Sequence, residues 1–334
     1  MNPRLSILDQ SPVISGHTPA RAVAETIKLA QAADALGYHR YWLAEHHAVA
    51  ALADPCPEIL LTRVASATAR IRVGTGGVLL PYYSALKAAE VFRMIEALFP
   101  GRIDLGIGRA PGGDLLTAQA LSNGQYLAAD RFPEQVQDLV GFLDDALPED
   151  HAFARVKAMP SGPAAPPIWL LGSSDYSGAL AADLGLRFAF AHFINPQGGD
   201  VVTRDYRARF RASARESAPH AVVCTFVICA ETAAAAQKLA ACIDLRRLHM
   251  ARGLNTPIPT PEQAEAQIYS EPELAYIRSQ RARTVIGDPS QVREQLLQLR
   301  EQFEADELML LTITGDYASR LRSYELLARE FGLR

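Results

Sequence analysis

Apolar positions along the chain follow two alternating rhythms. Short, β-rich runs occupy Leu5–Leu8, Arg40–Ala44, Ile71–Leu80, Ile103–Ile107, Pro167–Leu171, Arg187–Ala191, Val222–Cys229 and Leu308–Ile313. Between them lie stretches with one apolar face at helical spacing. The clearest are Ala20–Leu36, Ala85–Leu98, Pro133–Leu147, Ala179–Leu184, Ala233–Leu248, Gln291–Phe303 and Ala318–Phe331. The first rhythm is that of buried strands and the second that of amphipathic helices. Strand alternating with helix implies a parallel sheet. Eight such runs, ending in a strand and a terminal helix, predict an α/β fold of the (β/α)₈ TIM-barrel type spanning residues 1–334. A doubly wound open sheet is the alternative.

One region breaks the repeat. Arg252–Val285 carries Pro257, Pro259, Pro261 and Pro272 among polar residues, with no sustained period. It reads as a long insertion before the last strand, and a loop of that length in a compact barrel is usually an active-site lid or a binding loop, with a disordered excursion as the alternative. Asn123–Asp130 and His151–Pro166 are shorter insertions.

Composition narrows the class. Hydrophobic residues make up 49% and charged residues 21%, ample for a large core. A net charge of −4 with no basic stripe argues against nucleic acid as a partner. No apolar stretch reaches the roughly 18 residues that span a bilayer, and Met1-Asn2-Pro3-Arg4-Leu5 does not open a signal core. The expected location is cytoplasmic. Cys56, Cys224, Cys229 and Cys242 lack metal or redox spacing and read as free thiols. Cys224 and Cys229 lie at odd separation in one strand, so they face opposite sides.

In such a barrel the chemistry gathers just past the strand ends. After the second strand come Glu45-His46-His47, a carboxylate beside two imidazoles, suited either to proton transfer or simply to covering the strand end as satisfied histidines. Metal binding would need three or four converging ligands, which the neighbouring residues do not supply. After the first strand, Asp9-Gln10-Ser11 either line the pocket floor or form a turn. Gly76-Gly77, inside a β-branched run, marks either close approach of a flat group or a bulge. The run Gly106-Ile107-Gly108-Arg109 resembles a dinucleotide fingerprint but fails it, because Pro111 stands at the third glycine position. Arg109 is placed either to grip phosphate or to form a salt bridge. Gly172-Ser173-Ser174, followed by Ser177, opens a helix and would serve as an anion cradle or simply as a cap. His192-Phe193 and Thr314-Gly315-Asp316 follow the sixth and eighth strands. Together these residues suit a flat ring with a phosphate tail.

At these positions the chain resembles the bacterial luciferase-like, flavin-dependent monooxygenase family, nearest to its single-polypeptide members. The motifs are Tyr41-Trp42-Leu43-Ala44-Glu45-His46-His47, Gly74-Thr75-Gly76-Gly77-Val78-Leu79-Leu80-Pro81, Gly101-Arg102-Ile103-Asp104-Leu105-Gly106-Ile107-Gly108-Arg109, Leu171-Gly172-Ser173-Ser174 and Val285-Ile286-Gly287-Asp288-Pro289. The resemblance implies a single barrel domain that uses reduced FMN and O₂ to oxidise a small organic substrate through a C4a-peroxyflavin. It implies that His46 is the active-site histidine, with His47 and Glu45 as its supports. Gly76 and Gly77 would be joined by a cis peptide under the isoalloxazine, with Gly108 beside the flavin. Arg109, Gly172, Ser173, Ser174 and Ser177 would hold the phosphate. The resemblance further implies a homodimer fed by a separate flavin reductase. Light-emitting members carry a cysteine where this chain has Gly108 and a glutamate where it has Ser173. The alternatives are an F420-dependent oxidoreductase on the same barrel, a metal-dependent hydrolase and a flavin-binding protein without turnover.

Overall fold

The computed structural model describes residues 3–109, 112–124, 129–162 and 165–334. Eight parallel strands close into a barrel: β1 (Arg4–Asp9), β2 (Arg40–Leu43), β3 (Arg72–Thr75), β5 (Ile103–Gly108), β6 (Ile168–Gly172), β7 (Arg187–Ala191), β8 (Ala221–Cys229) and β10 (Glu307–Leu311). Closure is made by β10, which pairs with β1 on one side and β8 on the other. The expected barrel is therefore present.

Two short strands were not anticipated. The run Ile71–Leu80 is not one strand. It divides into β3 and β4 (Val78–Leu79) on either side of Gly76-Gly77, and β4 pairs with the end of β5. β9 (Thr284–Gly287) pairs with Phe226–Cys229, the carboxyl-terminal half of β8. It therefore overlaps the end of the expected loop.

The helices pack outside: α1 (Pro19–Leu36), α2 (Pro57–Ala67), α3 (Ala85–Leu98), α4 (Leu115–Leu121), α5 (Phe132–Asp144), α6 (Asp175–Asp183), α7 (Gly199–Arg209), α8 (Ala233–Ala251), α9 (Pro261–Glu265), α10 (Glu271–Arg281), α11 (Pro289–Gln302) and α12 (Tyr317–Phe331). The sequence pattern passed over α2, α4 and α7. In α7 only Gly199, Thr203 and Tyr206 are buried, so little apolar periodicity exists to be read. Residues 252–285 are mostly ordered structure, because α9 and α10 each begin with a capping box and a proline in the first turn. The shorter insertions are described except at 125–128 and 163–164, which lie outside the described residues.

Strand alternation sorts the core into two layers. Tyr41 and Leu43 face outward and join a cluster with Leu5, Ile7, Leu61 and Val64 beneath the helices. Arg40 and Trp42 face inward, as period-two geometry requires. Cys224 and Cys229 fall in the interior and outer clusters respectively. The floor of the barrel is charged. Arg40 bonds Asp104 and Glu307 at 2.7 Å each, and Arg72 bonds Asp104 at 2.7 Å. All of Arg40, Asp104 and Glu307 are buried, and Ser6 donates a further hydrogen bond to Glu307. Such a network is tolerable inside only because every charge is paired.

Candidate active site

Above the charged floor, at the carboxyl ends of the strands, lies a cavity of ≈ 250 Å³. Its lower wall is Trp42, whose Nε1 donates to Asp104 at 3.2 Å and whose ring packs edge-on to Trp169 at 5.2 Å. The floor network thus sets the orientation of the first aromatic surface in the cavity.

β2 ends by delivering Ala44, Glu45 and His46 to the cavity. His46 is held by its backbone, which donates to the carbonyl of Asp54 at 3.0 Å. Its Nδ1 lies 3.4 Å from the Ala44 carbonyl. A carbonyl only accepts, so Nδ1 carries the proton and Nε2 keeps a lone pair while the ring is neutral. Burial lowers the His46 pKa, outweighing the Ala44 hydrogen bond, with His47 adding to the depression. The neutral, proton-accepting ring is the form favoured there.

The expected support of His46 by Glu45 is not what the structure shows. Glu45 accepts from His47 Nε2 at 2.7 Å, from the Tyr83 hydroxyl at 2.7 Å and from the Leu79 backbone at 2.8 Å. His47 itself does not line the cavity. Adjacent residues leaving a strand diverge, so the carboxylate that follows Ala44 ties the β2 loop to β4 instead of reaching the next imidazole. Tyr83 was not foreseen. Its hydroxyl is held protonated by burial and by this hydrogen bond to Glu45, which raise its pKa well above the usual value.

Gly76 and Gly77 are joined by a cis peptide bond and both line the cavity. A Cβ on Gly76 would lie 2.6 Å from Leu8 Cδ1, and one on Gly77 would lie 2.8 Å from the Gly106 carbonyl oxygen. A side chain on Gly77 would run into backbone, whereas one on Gly76 would have to push aside the end of the Leu8 side chain. Gly108 also lines the cavity, but a Cβ there would meet only Leu79 Cδ2 at 3.7 Å. That space is open to a bound group.

Arg109 stands exposed at the rim, with its guanidinium 4.5 Å from the centre of the Tyr176 ring. No salt bridge holds it among the described residues. Residues 110–111, including Pro111, lie outside the described residues. Gly172, Ser173, Ser174 and Ser177 line the same rim. Ser174 occupies the cap position of α6 in extended backbone, yet its side chain caps no helical N–H. The Ser177 hydroxyl donates to the Ser174 carbonyl at 2.8 Å. Gly172 is required by that packing, since a Cβ there would fall 1.9 Å from Ser177 Oγ. Asp175 accepts from the Tyr176 N–H at 2.8 Å and puts one carboxylate at this corner.

The remaining strand-end residues divide. Gln10, Phe193 and Ile194 line the cavity. Asp9 turns away to pair with Arg320 at 2.6 Å and accepts from Tyr41, and Ser11 donates its N–H to Asp9 at 2.7 Å. His192 contacts Thr225 at 3.2 Å. Asp316 caps α12 through the Ser319 N–H at 2.7 Å. Cys224 and Met309 line the wall and went unrecognised as such. Their inward register on β8 and β10 was the available signal. No residue of 252–285 lines this cavity, but Asn255 bonds the Ala48 carbonyl and the Ala50 N–H, gripping the loop that follows His46. Among the described residues, no three His, Cys, Asp or Glu side chains converge to hold a metal ion.

The mouth of this parallel barrel thus gathers a proton-accepting imidazole, a diglycine floor and a cationic, hydroxyl-rich rim around one cavity. The family model for luciferase-like monooxygenases matches residues 4–306, and the chain belongs to that family. The uncharacterised protein YceB of Bacillus subtilis is 45% identical over 98% of this chain and 99% of its own length. An N-acetyl-S-alkylcysteine monooxygenase of the same organism is 36% identical over 97% of both chains. The crystal structure of apo-MsnO8 superposes with a TM-score of 0.92 at 40% identity, over 100% of this chain and 98% of that one. Two more distant chains share the fold alone. One is the FMN-bound oxygenating constituent of a Pseudomonas putida 3,6-diketocamphane monooxygenase (19% identity, TM-score 0.72, covering 98% and 97%). The other is an F420-dependent secondary alcohol dehydrogenase (10% identity, TM-score 0.69, covering 99% of both chains). FMN and F420 thus both occur on this barrel.

Proposed function

We propose that the chain is a monooxygenase that binds reduced FMN, supplied by a separate reductase, and uses O₂ to oxidise a small organic substrate. The observation that carries this reading is that His46, the Gly76-Gly77 floor and the Arg109–Ser174 rim all line one cavity. The donor set fits the cofactor. The space beside Gly108 is open, and the Arg109 guanidinium, which has no salt bridge among the described residues, stands over Tyr176 near the start of α6, whose cap side chain bonds no helical N–H and where the helix dipole favours an anion.

In this reading Arg109 and the α6 amino terminus hold the phosphate, and the diglycine and Trp42 seat the ring. The bound reduced flavin supplies the electrons that activate O₂ for oxygen transfer. The apolar wall of Leu8, Phe193 and Met309 excludes water, which would otherwise divert that chemistry. His46 Nε2 accepts a proton from the reacting group and returns it. The grip of Asn255 on the loop after His46 would let residues 252–285 act as a lid through that loop. A homodimer is the assembly we expect.

Spectrophotometric titration with reduced FMN followed by O₂ tests the reading. Tight binding of reduced FMN with a protein-dependent oxidation spectrum is expected. Binding of F420 in its place would transfer the site to the deazaflavin branch.

A further inference from the structure

On the β1–β2 side of the cavity stands a side-chain amide with no partner in the fold. Gln10 follows β1, two residues past Leu8 and on the same inward face, and both line the cavity. The β1–β2 register sets Leu8 level with Trp42, in the layer that meets Gly76. Gln10 therefore stands one rung higher, level with Ala44, whose N–H donates to the Asp9 carbonyl at 3.1 Å. Ala44 lines the cavity too, and His46 follows it by two residues.

Gln10 is 8% exposed, and its amide makes no hydrogen bond with any described residue. Its chain neighbours are engaged elsewhere: Asp9 pairs with Arg320, and the Ser11 hydroxyl accepts from Thr26 at 3.0 Å. Glu45, the carboxylate in the cavity wall, already accepts from three donors. The Arg109–Ser174 rim stands at the ends of β5 and β6, and β6 is diametrically opposite β1 in the closed strand order. Apart from Arg109, no Arg or Lys among the described residues lines the cavity. Below Trp42, Arg40 is fully paired with Asp104 and Glu307. A buried amide that the fold leaves unpaired calls for a partner from outside it.

The chemistry of that partner follows from what faces it. An amide offers a donor and an acceptor side by side, whereas the neutral His46 ring offers only the Nε2 lone pair. A carboxylate would turn its lone pairs on the Gln10 carbonyl and on that nitrogen, with no cation to offset them. A ketone would leave the Gln10 carbonyl unpaired, and a site that bonds both groups rejects an analogue lacking one. A second amide edge satisfies donor and acceptor together.

We propose that Gln10 recognises the organic substrate by pairing with an amide or lactam edge on it, holding it beside His46 with its apolar part against Leu8, Phe193 and Met309. The inference rests on the monooxygenase reading above and names its substrate class, a neutral amide. The flavin ring has a lactam edge of its own, but the Gly76 layer that seats the ring lies one rung below Gln10.

Hexanamide, heptan-2-one and hexanoate share one shape and differ in what the end group donates and accepts. Their binding to the full chain without flavin is read by thermal unfolding. Hexanamide should raise Tm and bind at least about tenfold more tightly than either of the others. In Gln10→Met, which keeps the length of the side chain, that preference should disappear. Unliganded Gln10→Met should melt no lower than the parent, since the amide holds nothing in the fold. FMN and riboflavin should bind this variant as they bind the parent. The proposal is overturned by no shift with hexanamide, by equal shifts for amide and ketone, by tighter binding of hexanoate, by a preference that survives in Gln10→Met, or by a lower Tm for that unliganded variant. Equal loss of FMN and riboflavin affinity in Gln10→Met would also overturn it, by assigning Gln10 to the flavin edge. Failure of the flavin titration would leave the three-probe measurements untouched, so the two readings fail separately.

Discussion

The two ends of the barrel interior are built from the same strands and hold opposite chemistry. On β2, Arg40 points into the floor and is fully paired with Asp104 and Glu307, whereas two residues on, Trp42 faces the cavity. At the end of the same run His46 keeps a ring nitrogen free, and across the mouth Arg109 touches only an aromatic ring among the described residues. The floor satisfies its charges and gives stability, while the mouth leaves polar groups open and gives function. Trp42 joins the two, with its Nε1 on the floor and its ring in the site.

The sharpest way to break this contrast is at the floor. Arg40→Met strands Asp104 and Glu307 as buried, half-paired carboxylates, and should cost about 3–5 kcal/mol in denaturant unfolding. A loss below about 1 kcal/mol would mean that water, not protein, satisfies that layer.

At the mouth the expectation reverses. His46→Ala should lower substrate oxygenation by about 10²–10⁴-fold, with Tm and reduced-FMN affinity unchanged. Undiminished turnover would remove His46 from the chemistry. Arg109→Ala should weaken FMN binding by roughly 10–100-fold and riboflavin hardly at all. Equal weakening of both, read by fluorescence titration, would contradict the phosphate assignment.

A smaller effect lies between the two layers. Asp54 is buried, its Oδ2 has no partner among the described residues, and its carbonyl receives the His46 N–H. Burial, with Asp9, Glu58 and Glu45 adding to it, raises its pKa to about 7 against the opposing Cys56 hydrogen bond. The folded state thus holds the proton more tightly than the unfolded chain, where the value is 3.8. Its contribution to stability is complete below about pH 4 and is lost as pH rises through about 7. Asp54→Asn should therefore match the parent near pH 4 and exceed it by on the order of 1–3 kcal/mol at pH 8. A pH-independent difference would refute this.

The barrel itself was legible because its strands and most of its helices carry strong periodicity. The exceptions have local causes. Ile71–Leu80 looks continuous because β-branched residues flank Gly76-Gly77, and nothing in an apolar pattern marks the turn between β3 and β4. Residues 252–285 look like loop because Pro261 and Pro272 read as breakers, yet each sits in the first turn of a capped helix, where proline is welcome. The site was legible as residue types at strand ends, but not as partnerships. Glu45 and His46 are adjacent in the chain yet serve different groups, and Tyr83, which completes the Glu45 cluster, lies 38 residues away.

By itself, the sequence determined the (β/α)₈ architecture and the identity of the strand-end residues, since periodicity and glycine placement are local properties of the chain. Only the tertiary structure decided which of those residues share a cavity and that Glu45 belongs to His47 and Tyr83. Those are facts of three-dimensional convergence, set where distant strands and helices bring side chains within hydrogen-bonding reach or fail to.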